Sequence, residues 1–153
     1  MPHVDLLELP YFEGISMDDL VAFVDLMKPV TFAPGAVILK ESDAGPHPLY
    51  IATHGSVVVT KNTLDGRGCR LAELESPTLF GELELFCSVP AVATVTAQSQ
   101  VNAFALSKPT FEEMLSSGYP AIVRFTYNVA RVASHRLAIA DEMLTRVLGN
   151  KDL

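Results

Sequence analysis

The segment between residues 30 and 106 constrains the fold most, because brief β-branched runs alternate there with turn residues. Prolines, glycines and aspartates separate these runs at short intervals, which is typical of a β-sandwich or a β-roll. Residues 57–60 and 70–74 have strand character on either side of a turn that contains Asp65 and Gly66, and this pattern predicts a hairpin. We therefore expect a mainly β core built from short strands.

Helical patterns flank the β segment. Ser16 is placed to cap a helix whose first turn holds Asp18 and Asp19, and Pro29 stops that helix. A short helical turn at residues 80–86 interrupts the strands. The expected organisation is a single domain, with an N-terminal helical segment over 1–28, the β-roll over 29–107 and C-terminal helices over 108–148.

The last predicted helix has two apolar stripes. One recurs at 3-4-3 spacing and is expected to pack on the core: Ile122, Phe125, Val129 and Val132. The other recurs at the 4-3-4-3 spacing of a coiled-coil seam: Ala133, Leu137, Ala140, Leu144 and Val147. Either both stripes are buried within one chain, or the second is a homodimer seam in which the alanines allow close approach. The spacing favours the homodimer.

Charge and hydropathy exclude several classes of protein. The 11 lysines and arginines against 18 aspartates and glutamates give a formal charge of -7, the wrong sign for wrapping a phosphate backbone. No apolar stretch approaches the roughly 20 residues that cross a bilayer. The N-terminus lacks the basic region and apolar segment of a secretory signal. We expect a cytoplasmic protein that neither contacts the membrane nor binds DNA by itself.

The sequence contains no recognisable catalytic or metal-binding pattern. Cys69 and Cys87 have no nearby cysteine or histidine at zinc-ligand spacing, so reduced thiols are expected. The four histidines are scattered, and there is no P-loop, nucleophile elbow or dinucleotide fingerprint. We therefore expect neither an enzyme nor a metal site.

Several short motifs stand in the register of one known family. They are Phe-Ala-Pro-Gly at 32–35, Leu-Tyr-Ile at 49–51, Asp-Gly at 65–66, Leu-Ala-Glu-Leu at 71–74, Phe-Gly-Glu-Leu at 80–83 and Ala-Thr-Val at 93–95. Through them the chain resembles the cyclic-nucleotide-binding domain of catabolite-activator regulators, kinase regulatory subunits and nucleotide-gated channels. The resemblance covers nearly the whole chain. It implies a jelly-roll-like β-roll, a double-stranded β-helix, flanked by an N-terminal helix and a long C-terminal helix.

In that family Phe-Gly-Glu-Leu opens a phosphate-binding cassette. Gly81 permits a tight turn, and the first free amides of the following helix face an anion. The resemblance implies that a ligand settles on Gly81, Glu82 and Leu83, that Glu82 accepts a hydrogen bond from a ribose hydroxyl, and that Leu71 packs on the base. Alternatively, Gly81 only permits a bend and Glu82 only caps a strand-to-helix junction.

The cassette departs from the family pattern at three positions. Ala91 fills the slot of the arginine that pairs with the cyclic phosphate. Val92 stands where a small or hydroxyl-bearing residue is common, and Glu84 stands where a small apolar residue is usual. Each change disfavours a bound phosphate. Four arginines are considered as replacement cations and are better interpreted as surface charges: Arg67, Arg70, Arg124 and Arg131.

The leading interpretation is a stand-alone signalling module that lacks the phosphate-binding arginine, binds cAMP and cGMP weakly, and acts by contact with another protein whose identity the sequence does not give. The alternative is a sensor of a cyclic nucleotide or another small anion through an atypical pocket, with the long helix moving when the pocket fills. No cofactor is certain. A cyclic nucleotide held at low affinity is the one candidate.

Overall fold

The computed structural model describes residues 4–149, and eight strands lie between flanking helices. The helices are α1 (Met17–Asp25), α2 (Glu82–Cys87), α3 (Lys108–Ser117) and α4 (Pro120–Gly149), preceded by 3-10 helices at Val4–Glu8 and Pro10–Phe12. The strands are β1 (Lys28–Phe32), β2 (Val37–Leu39), β3 (Leu49–His54), β4 (Ser56–Asn62), β5 (Gly68–Glu75), β6 (Thr78–Phe80), β7 (Thr94–Ala97) and β8 (Val101–Leu106).

The strands form two antiparallel sheets, as expected of a β-roll. One sheet has the order β1-β8-β3-β6 and the other β2-β7-β4-β5. Neighbours in the sheets are distant in sequence, as in the pairing of Ile51 on β3 with Phe104 on β8. The predicted fold class is confirmed, although "mainly β" describes it loosely because α4 alone contains 30 residues.

Local sequence signals account for α1. The Ser16 hydroxyl accepts a hydrogen bond from the Asp19 amide at 3.1 Å, and Asp18 and Asp19 lie in the first turn. This capping arrangement satisfies one of the free amides and complements the positive end of the helix dipole. The helix begins at Met17, directly after the predicted cap.

Buried residues form two clusters, one on each side of the first sheet. In the first cluster, which joins that sheet to α1 and α4, the Phe125 ring lies 5.7 Å from Phe12 and 5.1 Å from Phe23. In the second, which lies between the sheets, Tyr50 stacks on Phe80 at 5.2 Å. The aromatic pairs tie elements from both ends of the chain into one core.

The two stripes of α4 have different environments. The first is covered by the core, with Phe125 fully buried and Val132 half-buried. Every residue of the second stripe is exposed: Ala133, Leu137, Ala140, Leu144 and Val147. The expectation that both stripes are buried within one chain therefore does not hold. Within residues 4–149, no helix is long and apolar enough to span a membrane.

Candidate functional site

A cavity of about 310 Å³ opens between the second sheet, α2 and α4. Its walls are mostly apolar, and two carboxylates and one guanidinium also contribute to them. The lining residues come from the strands, from the segments beside α2, from α2 itself and from the far half of α4 (residues 133–149): Leu39, Val59, Ala72, Leu74, Thr78, Leu79, Phe80, Gly81, Glu82, Leu83, Glu84, Val92, Ala93, Val95 and Arg136.

The turn into α2 requires a glycine. Gly81 is the N-cap of that helix and has φ +86°, a left-handed conformation that side chains rarely adopt. A Cβ at this position would lie 2.8 Å from the Pro48 carbonyl oxygen. The chain passes so close to β3 here that only glycine fits, which fixes where the cavity wall begins.

The other end of α2 is held by a lysine from α3. Lys108 Nζ donates to the Leu85 carbonyl oxygen at 2.7 Å and to Ser88 Oγ at 2.6 Å. A cation at the C-terminal end of a helix satisfies free carbonyls and complements the helix dipole. Since α2 is anchored at both ends, the side chains of its first turn are presented to the cavity in a fixed orientation.

Glu84 brings a buried carboxylate to the cavity wall. Its residue is 6% exposed, and its Oε1 accepts a hydrogen bond from the Val92 amide at 3.3 Å. Within residues 4–149 its second oxygen accepts no hydrogen bond. A buried carboxylate needs several donors to offset the loss of water, so the described protein groups leave this carboxylate under-satisfied.

Glu82, two residues before Glu84, has a cationic partner. Arg136 Nη1 lies 3.5 Å from Glu82 Oε1, and Arg136 Nη2 donates to the Tyr11 hydroxyl at 3.1 Å. Burial raises the pKa of the Glu82 carboxyl, an effect that Arg136 opposes and Glu84 reinforces. Burial likewise raises the pKa of Tyr11. Arg136 thus links the cavity to the N-terminal segment.

The structure brings four of the six predicted ligand-binding residues to the cavity: Gly81, Glu82, Leu83 and Val92. Ala91 is absent from the lining and is 3% exposed. Its amide donates to the Asp43 carbonyl oxygen at 3.0 Å, and its own carbonyl oxygen accepts from the Ser42 amide at 2.7 Å. These bonds to the loop before β3 fix the backbone at Ala91 beside the cavity.

Leu71, which was expected to pack on the base of a ligand, is not among the residues that line the cavity and is 55% exposed. Successive side chains of a strand point to opposite faces, so Ala72 and Leu74 line the wall while Leu71 faces away. The β4–β5 register also shifts here, because Val59 pairs with Ala72 whereas Thr60 pairs with Arg70. This register shift depends on the pairing of two strands, so no local sequence pattern predicts it.

The four arginines considered as replacement cations do not line the cavity. Three of them form ion pairs with nearby acids, namely Arg67 with Asp65, Arg70 with Glu73 and Arg131 with Glu13. The fourth, Arg124, lies over the Tyr127 ring. The cation that does reach the cavity, Arg136, was missed because the spacing of α4 gives no indication of what its far half faces.

No group of three metal-ligating side chains occurs in the part of the chain that the structure describes. Cys69 and Cys87 are exposed free thiols.

Comparison with known proteins identifies the family. The sequence model of the cyclic nucleotide-binding domain matches residues 29–117, which includes the whole roll and α3. The chain belongs to the cyclic nucleotide-binding domain family. The matched segment contains Gly81, Glu82 and Glu84 of the cavity wall.

Among curated relatives of this family, the chain is 33% identical over 97 residues to a cAMP-dependent protein kinase regulatory subunit from Dictyostelium discoideum. The match covers 61% of this chain and 29% of that protein. The chain thus spans about a third of the length of this relative.

Solved structures have the same fold. The catabolite activator protein of Thermus thermophilus superposes with a TM-score of 0.82 at 23% identity, over 91% of this chain and 63% of that one. Two regulatory subunits of cAMP-independent protein kinase A also match. One is a triple mutant from Trypanosoma brucei, with a TM-score of 0.70 at 24% identity over 84% of this chain and 44% of that one. The other is from Trypanosoma cruzi, with a TM-score of 0.69 at 25% identity over 84% of this chain and 43% of that one.

Proposed function

We propose that this chain is a regulatory module of the cyclic nucleotide-binding fold that binds cAMP and cGMP weakly and acts through protein contacts of α4. The observation that carries the proposal is the Glu84 carboxylate, which accepts the Val92 amide at 3.3 Å in the cavity wall. The family pattern expects the cyclic phosphate beside this amide and beside the arginine slot, which is Ala91. An internal anion therefore stands where the ligand's anion is expected.

The free energies involved are large enough to decide the affinity. A hydrogen bond to a charged group is worth about 1.5–3 kcal/mol, so loss of the arginine weakens binding about ten- to hundredfold. Two like charges about 5 Å apart repel by about 3 kcal/mol at an effective dielectric constant of about 20. The carboxylate of Glu84 adds this repulsion to the loss of the arginine.

A trypanosome structure supports the choice of residues. The Trypanosoma brucei triple mutant holds cAMP in the A site. Its first substitution replaces a glutamate by alanine. The other two replace a threonine by arginine seven positions later and a valine by alanine eight positions later. Glu84, Ala91 and Val92 have this spacing. The protein that carries those mutations is a cAMP-independent kinase subunit, which agrees with weak cyclic-nucleotide binding by a cassette with a glutamate and no arginine at these positions.

Calorimetric titration with cAMP and cGMP tests the proposal. We expect no binding below millimolar concentrations for the unaltered chain, and at least a hundredfold gain for the triple variant Glu84→Ala, Ala91→Arg, Val92→Ala. The triple variant with Glu113→Ala in place of Glu84→Ala is the matched control, because Glu113 is exposed on α3. Micromolar binding of either nucleotide to the unaltered chain would contradict the proposal.

We propose a second copy of the chain as one partner of α4. The exposed stripe has seam spacing over the far half of the helix, and Leu137, Leu144 and Val147 are each more than half exposed. At its start, Ala133 borders an apolar groove of about 290 Å³ between α2 and α4. Two parallel copies would place each stripe residue against its own counterpart and would extend the cover over Leu83 and Phe86 in that groove.

Light scattering tests the dimer. Leu137→Glu puts a charge into the seam, and we expect the mass to fall to that of one chain. Ile139→Glu is the matched control because, at about 100° per residue, Ile139 lies roughly a third of a turn away from the stripe. A mass of one chain for the unaltered protein, or an unchanged mass for Leu137→Glu, would contradict the seam.

The second candidate function is a cyclic-nucleotide or small-anion sensor with low affinity. It is favoured by the cavity itself, which lies at the family's cassette with Gly81 at its edge. Saturable binding of cAMP at high micromolar concentration, together with a shift of α4 resonances in NMR spectra, would support it over the first.

A further inference from the structure

The charges in the cavity wall point away from an anionic ligand. Glu82 and Arg136 lie 3.5 Å apart and offset each other, which leaves Glu84 as the uncompensated charge among the lining residues. Lys61, which contacts the Val92 carbonyl oxygen and Glu41, also lies outside the lining. A phosphate would enter a wall whose net charge has its own sign.

One acceptor in the same wall is short of hydrogen-bond donors. Glu84 is more than nine-tenths buried, and one of its oxygens accepts no hydrogen bond within residues 4–149. Buried acceptors in native proteins are satisfied in the great majority of cases. A ligand that donates to this oxygen would therefore satisfy an acceptor that the protein's own described groups leave unpaired.

The rest of the cavity suits a flat apolar body. The strands contribute its apolar lining: Leu39, Val59, Ala72, Leu74 and Val95. Its volume of about 310 Å³ is at the lower end of the range for small-molecule sites, which is about 300–1,000 Å³. The lining thus combines apolar side chains from the strands with two carboxylate acceptors from α2.

We infer that the cavity takes an uncharged nucleoside whose ribose hydroxyls donate to Glu82 and Glu84. The inference deepens the proposed function and rests on it. The family places a ribose hydroxyl on the glutamate at Glu82 and the phosphate beside Val92, so the 5′-oxygen lies on the Glu84 side. In a nucleoside this oxygen belongs to a free hydroxyl, which can donate to Glu84, whereas in a cyclic nucleotide it is esterified to an anionic phosphate and has no proton to donate. The 25%-identical Trypanosoma cruzi subunit was solved bound to guanosine.

Arg136 connects this site to the rest of the molecule. A ribose diol that donates to Glu82 competes with Arg136 for the same carboxylate, and Arg136 is also bonded to Tyr11 at 3.1 Å. Occupancy of the cavity would therefore change the contacts of the far half of α4 with both α2 and the N-terminal segment. This gives the proposed module a route from ligand to protein contact.

Calorimetric titration of the full chain with adenosine, guanosine and cAMP tests the inference. We expect at least one nucleoside to bind at least tenfold more tightly than cAMP. The 5′-deoxy form of that nucleoside should lose about tenfold, because it lacks the donor to Glu84. Glu84→Gln should also lose about tenfold for the parent nucleoside and leave the 5′-deoxy form unchanged. Glu113→Gln, on exposed α3, is the control and should change neither.

A measurement on the unaltered chain does not depend on how the variants fold. In ¹H–¹⁵N NMR spectra, the nucleoside should shift the Val92 and Glu82 amides most strongly. Absence of nucleoside binding up to millimolar concentration, equal affinity for the 5′-deoxy form, or binding of a polyamine in place of the nucleoside would each overturn the inference. Tighter binding of cAMP than of any nucleoside would also overturn the inference, and micromolar binding of cAMP would overturn the proposed function as well. If neither binds, the nucleoside inference alone fails.

Discussion

The two halves of α4 have similar apolar periodicity and opposite environments. Up to Val129 one stripe of the helix, Ile122, Phe125 and Val129, is buried against α1 and the 3-10 helix Pro10–Phe12, whereas from Ala133 onward every described residue is exposed. The near half is attached by specific contacts, including the two hydrogen bonds that Asn128 Nδ2 donates to the Tyr11 and Glu13 carbonyl oxygens at 2.9 and 2.8 Å. The comparison teaches that apolar spacing identifies a packing surface and leaves open what it packs on.

The largest expected effect comes from the near half. Phe125→Ala removes a fully buried ring that contacts Phe12 and Phe23, and we expect the free energy of unfolding to fall by about 3–5 kcal/mol. Urea denaturation at several protein concentrations measures it. The loss should be equal at all concentrations, and a loss below 1 kcal/mol would show that this half is not packed as described.

Asn128→Ala should have an intermediate effect. It leaves the carbonyl oxygens of Tyr11 and Glu13 without their donor, and Asn128 is 1% exposed. Loss of buried hydrogen bonds costs about 1–3 kcal/mol, which thermal denaturation can measure. Ser134→Ala, in the exposed half, is the control. Equal melting temperatures for the two variants would remove the distinction between the halves.

Leu137→Ala should change stability only through association. For the single chain we expect the free energy of unfolding to change by less than about 0.5 kcal/mol, as for surface substitutions in general. If the far half forms the proposed seam, the difference from the unaltered chain grows as the protein concentration is raised, because a partner stabilises only the folded state. Denaturation at low and high concentration checks this, and no dependence on concentration would argue against the seam.

The smallest expected change in stability concerns Glu82, which Arg136 of the far half contacts. Burial holds the pKa of Glu82 above its ordinary value of 4.5, so the folded state favours the neutral carboxyl. This favourable contribution is complete below the unfolded-state pKa and is lost as the pH rises through the folded-state pKa. Glu82→Gln should therefore gain stability relative to the unaltered chain as the pH rises from about 4 to 7. Glu113→Gln should show no such gain. If the difference in stability between Glu82→Gln and the unaltered chain does not change with pH, the burial effect is contradicted.

Much of the fold could be predicted from the sequence because its signals are local. Ser16 caps α1 directly, and the short β-branched runs become the strands of the roll. The glycine at position 81 could likewise be assigned to a tight turn, since the family motif and the chemistry of glycine agree there.

The parts of the site that could not be predicted depend on distant contacts. Ala72 lines the cavity in place of Leu71 because of pleat and register in a hairpin. The backbone of Ala91 is bonded to residues 42 and 43. Arg136 reaches Glu82 across 54 positions of sequence, and only the packing of the near half of α4 determines that direction.

The contact between Arg136 and Tyr11 also provides an intrinsic optical signal. The chain contains no tryptophan and four tyrosines, so its ultraviolet fluorescence comes from phenol rings. Tyr11 is buried, and its hydroxyl accepts the guanidinium that also contacts Glu82. Withdrawal of that guanidinium would alter the emission of an unlabelled sample, so events at α2 can be followed from a ring near the start of the chain.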